Sequence, residues 1–237
     1  MTAGDNDTAG DLLIREVDED LRREQIHRLW QRYGKFAIAG ALAVVLAVAG
    51  YQAWQAWQER QHQAEAARFA AAQDLIAQGK TADAEAALTA LAADGHSGFA
   101  VAALMRRGQL LASHGEIAAA AATYDAIVSS SAPAVFRDLA LLKAAFLTLD
   151  TADPAQLEAR VGALATASNP WHYTATELLA LIAQKRGDVS TATAHYKQLA
   201  DDLGAPQGIR ARAAEMLAAL TPVAAAPPTP PGPPGKE

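Results

Sequence analysis

The amino-acid sequence predicts an all-α protein, in which one N-terminal transmembrane helix is followed by an α-solenoid of about four helix pairs and a capping helix. Three observations lead to this fold class. An uncharged apolar run occupies Phe36–Tyr51, alanine is abundant while aromatic residues make up only 6% of the chain, and turn signals recur at a regular spacing. Alanine favours helices, whereas strands are enriched in aromatic and β-branched residues.

The apolar run Phe36–Tyr51 predicts a membrane-spanning helix. It is 16 residues long, somewhat less than the ~20 helical residues that a bilayer core requires, but Trp54 and Trp57 continue it. Trp30 and Tyr33 stand at the opposite margin. Aromatic rings at both margins are typical of a membrane anchor, because each ring has an apolar body and a polar edge.

The charges around the run predict its orientation. Five cations lie shortly before it: Arg22, Arg23, Arg28, Arg32 and Lys35. Only Arg60 and Arg68 lie within a similar distance after it. Since an excess of Lys and Arg marks the cytoplasmic side, the N-terminus should stay in the cytoplasm and the large C-terminal part should cross the membrane.

The apolar run has two other possible interpretations, a cleaved signal peptide and a buried core helix. Ala47, Val48 and Ala49 resemble a signal-peptide cleavage site, but the preceding 35 residues are long and acidic where a signal peptide is short and basic. A buried core helix is disfavoured because the run has no polar face. An uncleaved anchor is therefore expected.

The sequence predicts four segments. Residues 1–35 form a cytoplasmic arm, disordered to about Asp11 and then helical; residues 36–57 form the anchor; residues 58–221 form the repeat domain; and residues 222–237 form a disordered proline-rich tail. The helical part of the arm is compatible with a solvated segment and with a helix that docks on lipid or on a partner.

A regular series of turns predicts the repeats. Gly79, Gly115 and Gly187 are separated by 36 and 72 residues, so a further turn is expected near Thr151, where Asp150–Pro154 forms a helix break. The helices are expected at about 58–78, 81–93, 98–113, 116–129, 133–149, 154–167, 171–186, 189–203 and 207–220. A period of 34 to 36 residues made of helix–turn–helix units is typical of tetratricopeptide repeats.

The residue types at repeated positions resemble the tetratricopeptide repeat. Small residues precede each turn (Ala72, Gly108, Ala144 and Ala180), and a small, large, large pattern follows it (Ala84, Leu88, Leu91; Ala120, Tyr124, Ile127; Ala192, Tyr196, Leu199). The third unit departs, with Gln156, Arg160 and Ala163 at these positions. A shift of one residue gives Leu157, Val161 and Leu164, which predicts one extra residue in that turn.

No catalytic, metal-binding or cofactor-binding residues are predicted. The six histidines are scattered, the chain has no cysteine, and no metal, phosphate-binding or nucleophile motif is present. The net charge of −6 argues against a nucleic-acid surface. An enzyme is therefore not expected.

The first helices of stacked helix pairs line a concave face, which is the candidate partner-binding surface. By repeat register it should present Phe69, Gln73, Met105, Gln109, Leu141, Glu177 and Leu181. Each could instead belong to the core. Apolar and amide groups with few charges suit unfolded or extended polypeptide better than nucleotides.

The N-terminal region resembles the signature of the YfgM-like family. The run EQIHRLWQRYGKFAIAG carries Glu24, Arg28, Trp30, Gly34, Lys35 and Gly40, and Gly50 and Trp54 follow at the family's spacing. The resemblance continues as helical repeats to about residue 220. The long acidic arm, the shifted third repeat and the proline-rich tail depart from the family pattern.

This resemblance implies a bacterial inner-membrane protein with one N-in anchor and a periplasmic repeat domain. Family members are ancillary subunits of the SecYEG translocon that associate with the membrane-anchored prolyl isomerase PpiD. They help periplasmic chaperones receive emerging chains, so a translocon-associated adaptor or holdase is expected. The alternative is a structural scaffold of a cell-envelope complex, for division or wall synthesis, without client chains.

Overall fold

Regular secondary structure in this protein is helical throughout the described residues. A computed structural model describes residues 5–94 and 98–220, and the predicted proline-rich tail lies outside them. The helices are α1 (Asp5–Ala77), α2 (Thr81–Ala93), α3 (Gly98–Ser113), α4 (Ile117–Val128), α5 (Ala134–Thr148), α6 (Pro154–Gly162), α7 (His172–Lys185), α8 (Val189–Asp201) and α9 (Gln207–Leu220). The predicted all-α fold class is confirmed.

Helix α1 runs without a break through the segments predicted as arm, anchor and first repeat helix. The prediction of disorder as far as Asp11 is wrong from Asp5 onward. The segment after Leu12 is rich in strong helix formers such as leucine, arginine and glutamate, which favours the helical conformation.

The chain divides into two units, residues 1–64 and the residues from Glu65 on. In the first unit the apolar side chains of the run are exposed. Those of Phe36, Ile38, Leu42, Val44, Val45, Leu46, Val48 and Tyr51 are each 51% to 65% accessible. Within the described residues, this helix is the one that is long and apolar enough to cross a membrane, as the sequence predicts.

The second unit is a stack of helix pairs. The last residues of α1 pair with α2, and α3 with α4, α5 with α6 and α7 with α8 follow. Each helix packs on the next, and α3, α5, α7 and α9 also pack on one another in that order. Helix α9 closes the stack on α8, as the predicted capping helix does.

The buried residues of the second unit confirm the repeat register. The small positions and the small, large, large pattern of the first, second and fourth units are all buried: Ala72, Ala84, Leu88, Leu91, Gly108, Ala120, Tyr124, Ile127, Ala144, Ala180, Ala192, Tyr196 and Leu199. Repeats of this kind gain their core only by stacking, because no single pair can bury its own apolar face.

Gly108 is the tightest of the small positions. A Cβ atom added there would lie 2.7 and 2.8 Å from two ring atoms of Tyr124, which is itself 2% exposed. The glycine therefore allows α3 to approach the aromatic ring on α4 more closely than any side chain could.

The third unit follows the predicted one-residue shift. Leu157, Val161 and Leu164 are 2%, 0% and 7% exposed, whereas Gln156 and Arg160 are exposed. Helix α6 starts at Pro154, one residue later than the 36-residue spacing would place it. Its start is built by the carboxylate of Asp153, which accepts a hydrogen bond from the backbone N–H of Ala155 at 3.0 Å.

Helix α6 is shorter than predicted. It ends at Gly162 instead of residue 167, and residues 163–171 form turns that lead to α7. Those turns are tied back to α5. The indole N–H of Trp171 donates to the carbonyl of Val135 at 2.9 Å, and the Asn169 amide donates to the carboxylate of Asp138 at 2.8 Å. These two hydrogen bonds attach the turn segment to α5 and give the polar groups of Asn169 and Trp171 a partner there.

Three of the four turns within pairs contain a glycine with positive φ. Gly79, Gly115 and Gly187 have φ of 73°, 79° and 79°, in the left-handed region that other residues enter at a cost. Each provides the sharp reversal that the sequence predicts.

Replacing Gly187 with alanine should lower the free energy of unfolding by ~1 kcal/mol, because an L-residue is strained in this conformation. Urea unfolding of residues 58–237 measures the change. The control is Gly162→Ala, at an exposed helical position where an added Cβ meets nothing within 4 Å; it should be neutral or slightly stabilising. Equal losses in the two variants would contradict this account of the turn.

Candidate functional site

Helices α1, α3 and α5 line an open depression in the second unit, the first groove. Its volume is about 360 Å³. The lining residues are Phe69, Gly98, Val101, Ala102, Met105, Arg106, Gln109, Phe136, Leu139 and Lys143. Most of them recur three or four residues apart along one face of α3 or α5, so one side of each helix contributes to the surface.

The floor and walls of the first groove are apolar. Phe69 packs against Phe99 with ring centroids 6.2 Å apart. Met105 is half-buried, and Phe136 remains 44% exposed. Because the removal of a large aromatic side chain from water is energetically favourable, this open surface favours contact with an apolar group of a partner.

A cation is held in place at the edge of the first groove. The Nε of Arg106 donates to Gln73 Oε1 at 2.6 Å, and its Nη1 donates to Gln109 Oε1 at 2.9 Å. These amide oxygens orient the guanidinium without neutralising its charge. A second cation, Lys143, also lines the groove, and its Nζ lies 5.9 Å from the ring centroid of Tyr124.

Helices α5, α7, α8 and α9 line a second depression, the second groove. Its volume is about 380 Å³, and it is lined by Phe146, Glu177, Leu181, Tyr196, Arg212, Glu215 and Met216. Phe146 is 38% exposed. The second groove thus also combines apolar side chains with a few charged ones.

Two of the charged side chains of the second groove, Arg212 and Glu177, are paired with each other. Arg212 donates from Nε and Nη2 to the two carboxylate oxygens of Glu177, at 2.7 and 2.8 Å. This bidentate hydrogen bonding to Glu177 raises the pKa of Arg212 above its usual value. Burial, followed by the charge of Glu177, raises the pKa of Tyr196. Glu177 is only 8% exposed, so it joins α7 to α9 instead of offering a free carboxylate to a partner.

Among the side chains that the structure describes, no three from His, Asp or Glu are grouped as ligands of a metal ion. His27, His114 and His172 contact neighbouring groups of the protein. The His114 ring, for example, lies 3.2 Å from the hydroxyl of Thr81.

Residues 27–220 match the family model of the tetratricopeptide repeat-like domain. The chain belongs to this family. None of the curated proteins and none of the solved structures compared with it matches. A tetratricopeptide repeat-like domain suggests an adaptor for protein partners, and its fold is typically non-enzymatic.

In the tetratricopeptide repeat-like domain, the residues predicted to line the concave face are divided between the two grooves. Phe69, Met105 and Gln109 line the first groove, while Glu177 and Leu181 line the second. Gln73 is half-buried beside the first groove and orients Arg106. Leu141 lines neither groove and packs against the core formed by α5, α6 and α7.

Sequence reasoning missed part of the lining of both grooves. Val101, Arg106, Phe136, Leu139 and Lys143 in the first groove, and Phe146, Arg212 and Met216 in the second, were not predicted. The predicted set was carried from repeat to repeat by a fixed 36-residue spacing. The signal that would have found Phe136, Leu139 and Lys143 is the helical spacing within α5 itself.

Proposed function

We propose that this protein is a membrane-anchored periplasmic adaptor or holdase that receives extended or partly unfolded polypeptide at the SecYEG translocon and passes it to periplasmic chaperones. The observation that carries the proposal is the first groove, an open apolar surface with amide and cationic groups at its edge. Such a surface can contact apolar side chains of many different chains without demanding one sequence.

The exposed apolar helix supports the membrane part of the proposal. Its side chains from Phe36 to Tyr51 have no protein cover in the described residues, and lipid would remove them from water. The excess of cations before the helix supports an orientation with the repeat domain outside the cytoplasm. The similarity of the N-terminal run to the YfgM-like family suggests SecYEG and PpiD as partners.

Photo-crosslinking in cells tests this function. A photo-reactive amino acid at Gln109, exposed in the first groove, should capture translocon subunits, PpiD and newly secreted chains. The control position is Lys197, exposed on α8 and outside both grooves. Crosslinks from Gln109 to one fixed envelope protein, and to no secretory chain, would instead identify the structural scaffold.

Orientation is tested separately. A reporter that is active only outside the cytoplasm, fused after Glu237, should be active in cells, and the protein should keep its N-terminus. Activity of a cytoplasm-specific reporter at this site would contradict the charge rule for this chain. A mature chain that begins at Gly50 would show that the run is a cleaved signal peptide.

A further inference from the structure

We infer that the first groove selects a polypeptide segment in which an acidic side chain lies within a few residues of a large apolar one. This inference rests on the proposed function and names the class of segment that the groove takes. The occupant is an extended segment of another protein, with its apolar side chain on the Phe69, Met105 and Phe136 surface and its carboxylate on Arg106 and Lys143.

The charge distribution of the groove carries the argument. Both charged groups among the ten lining residues are cations, and no lining residue is acidic. In the described part of the chain, ion pairs tie other cations to carboxylates, including Arg107 to Glu85 and Arg212 to Glu177. No such pair includes Arg106 or Lys143 among the described residues.

The geometry of Arg106 makes it a prepared anion site. Its Nε and Nη1 are taken by the oxygens of Gln73 and Gln109, which hold the guanidinium plane in one orientation. Its Nη2 group donates to no acceptor among the described residues. A carboxylate that binds there meets a cation that is already ordered, so little side-chain entropy is lost on binding.

The second groove provides an internal contrast. There the only arginine is already bound in a bidentate pair to Glu177, and a further carboxylate, Glu215, lines the surface. An acidic segment would meet repulsion in the second groove and attraction in the first. The two grooves of one domain thus differ in charge although both are apolar and similar in size.

The test is a peptide titration with the full chain in detergent micelles, followed by fluorescence polarisation. The first probe is a labelled octapeptide with one Phe flanked by Glu on both sides, and the second has Gln in place of each Glu. At low ionic strength the Glu peptide should bind about tenfold more tightly, since hydrogen bonds to charged groups outweigh neutral ones by roughly this factor. The preference should shrink at ~1 M salt, where exposed charges are screened.

Variants locate the effect. Arg106→Gln and Lys143→Gln should each remove most of the preference for the Glu peptide. Gln109→Glu, at an exposed position, should also remove most of this preference because it places a carboxylate beside Arg106. This variant keeps Arg106, so it tests the inference even if the loss of Arg106 disturbs the fold. Lys197→Gln on α8 is the matched control and should leave both affinities unchanged.

The outcomes separate this inference from the proposed function. If both peptides bind equally and Phe136→Ser weakens the binding of both, the charge selection is overturned, while the capture of polypeptide at the first groove stands. If neither peptide binds, both the charge selection and the capture of polypeptide are overturned for the first groove. Tighter binding after removal of residues 221–237 would identify the chain's own end as the occupant, and an affinity that falls as protein concentration rises would identify a second copy; either result overturns a partner segment.

Discussion

Replacing Gly108 with leucine should lower the free energy of unfolding of residues 58–237 by about 3 kcal/mol or more, the upper end of the cost of overpacking. The Cβ alone would come within 2.7 Å of the Tyr124 ring, and the leucine carries three further carbon atoms beyond it. Tyr124 cannot move aside easily because it is 2% exposed and packs among the buried residues Ile127, Ala140 and Ala144. Urea unfolding followed by circular dichroism measures the loss.

Two controls separate this clash from a general effect of leucine. Gly162→Leu adds the same side chain at an exposed helical position with open space around the Cβ, and it should cost little. Tyr124→Leu removes the ring atoms that the added Cβ would meet. In the double variant Gly108→Leu with Tyr124→Leu, the total loss should therefore be smaller than the sum of the two single losses. Additive losses would show that the ring is not the obstacle.

Removing the anchor should reduce crosslinking of the repeat domain to translocating chains by about 100-fold, at equal amount of protein outside the cytoplasm. A tether holds the domain near its site at an effective concentration that reaches ~mM for short linkers, so that weak contacts become sufficient. Residues 58–237, exported with a cleavable signal peptide, are compared with the full chain. The photo-reactive residue is placed at Phe136, which is exposed in the first groove, so that Gln109 stays free for substitution.

Two controls identify what the anchor contributes. An unrelated membrane-spanning helix in place of residues 36–57 should restore crosslinking if proximity alone matters. The anchored variant Gln109→Glu, changed at an exposed position of the first groove, should lose crosslinking while keeping its thermal stability. If the freed domain captures chains as well as the anchored one does, tethering is irrelevant and this mechanism is wrong.

Local signals in the sequence were sufficient for most of the repeat architecture. The three turn glycines, the recurring small and large residues and the helix break at Pro154 each act through near neighbours on the chain, so their consequences can be read directly. The shift in the third unit was predictable for the same reason, because Leu157, Val161 and Leu164 keep the helical spacing that Gln156 and Arg160 do not. The end of α6 was not predictable from local signals, since residues 163–171 are held by contacts to α5.

The candidate site was predictable only in part. Phe69, Met105 and Gln109 follow from the repeat register, and the structure places them in one groove. The repeat register does not distinguish an exposed position from a buried one. It therefore did not show that Leu141 packs against the core or that Glu177 is bonded to α9. Whether a side chain of a first helix stays open depends on the size of residues contributed by the neighbouring helices.

By itself, the sequence determined the helical class, the apolar helix able to cross a membrane and the period of the repeats, because all three depend on composition and on spacing along one chain segment. Only the tertiary structure decided where charge is left without a partner. Arg106 and Arg212 are both arginines on helices of the same stack, yet one is oriented by two neutral amides and the other is paired with a buried carboxylate. Gln73 lies 33 positions from Arg106 and Glu177 lies 35 positions from Arg212, and packing brings each of them within hydrogen-bond distance of its arginine.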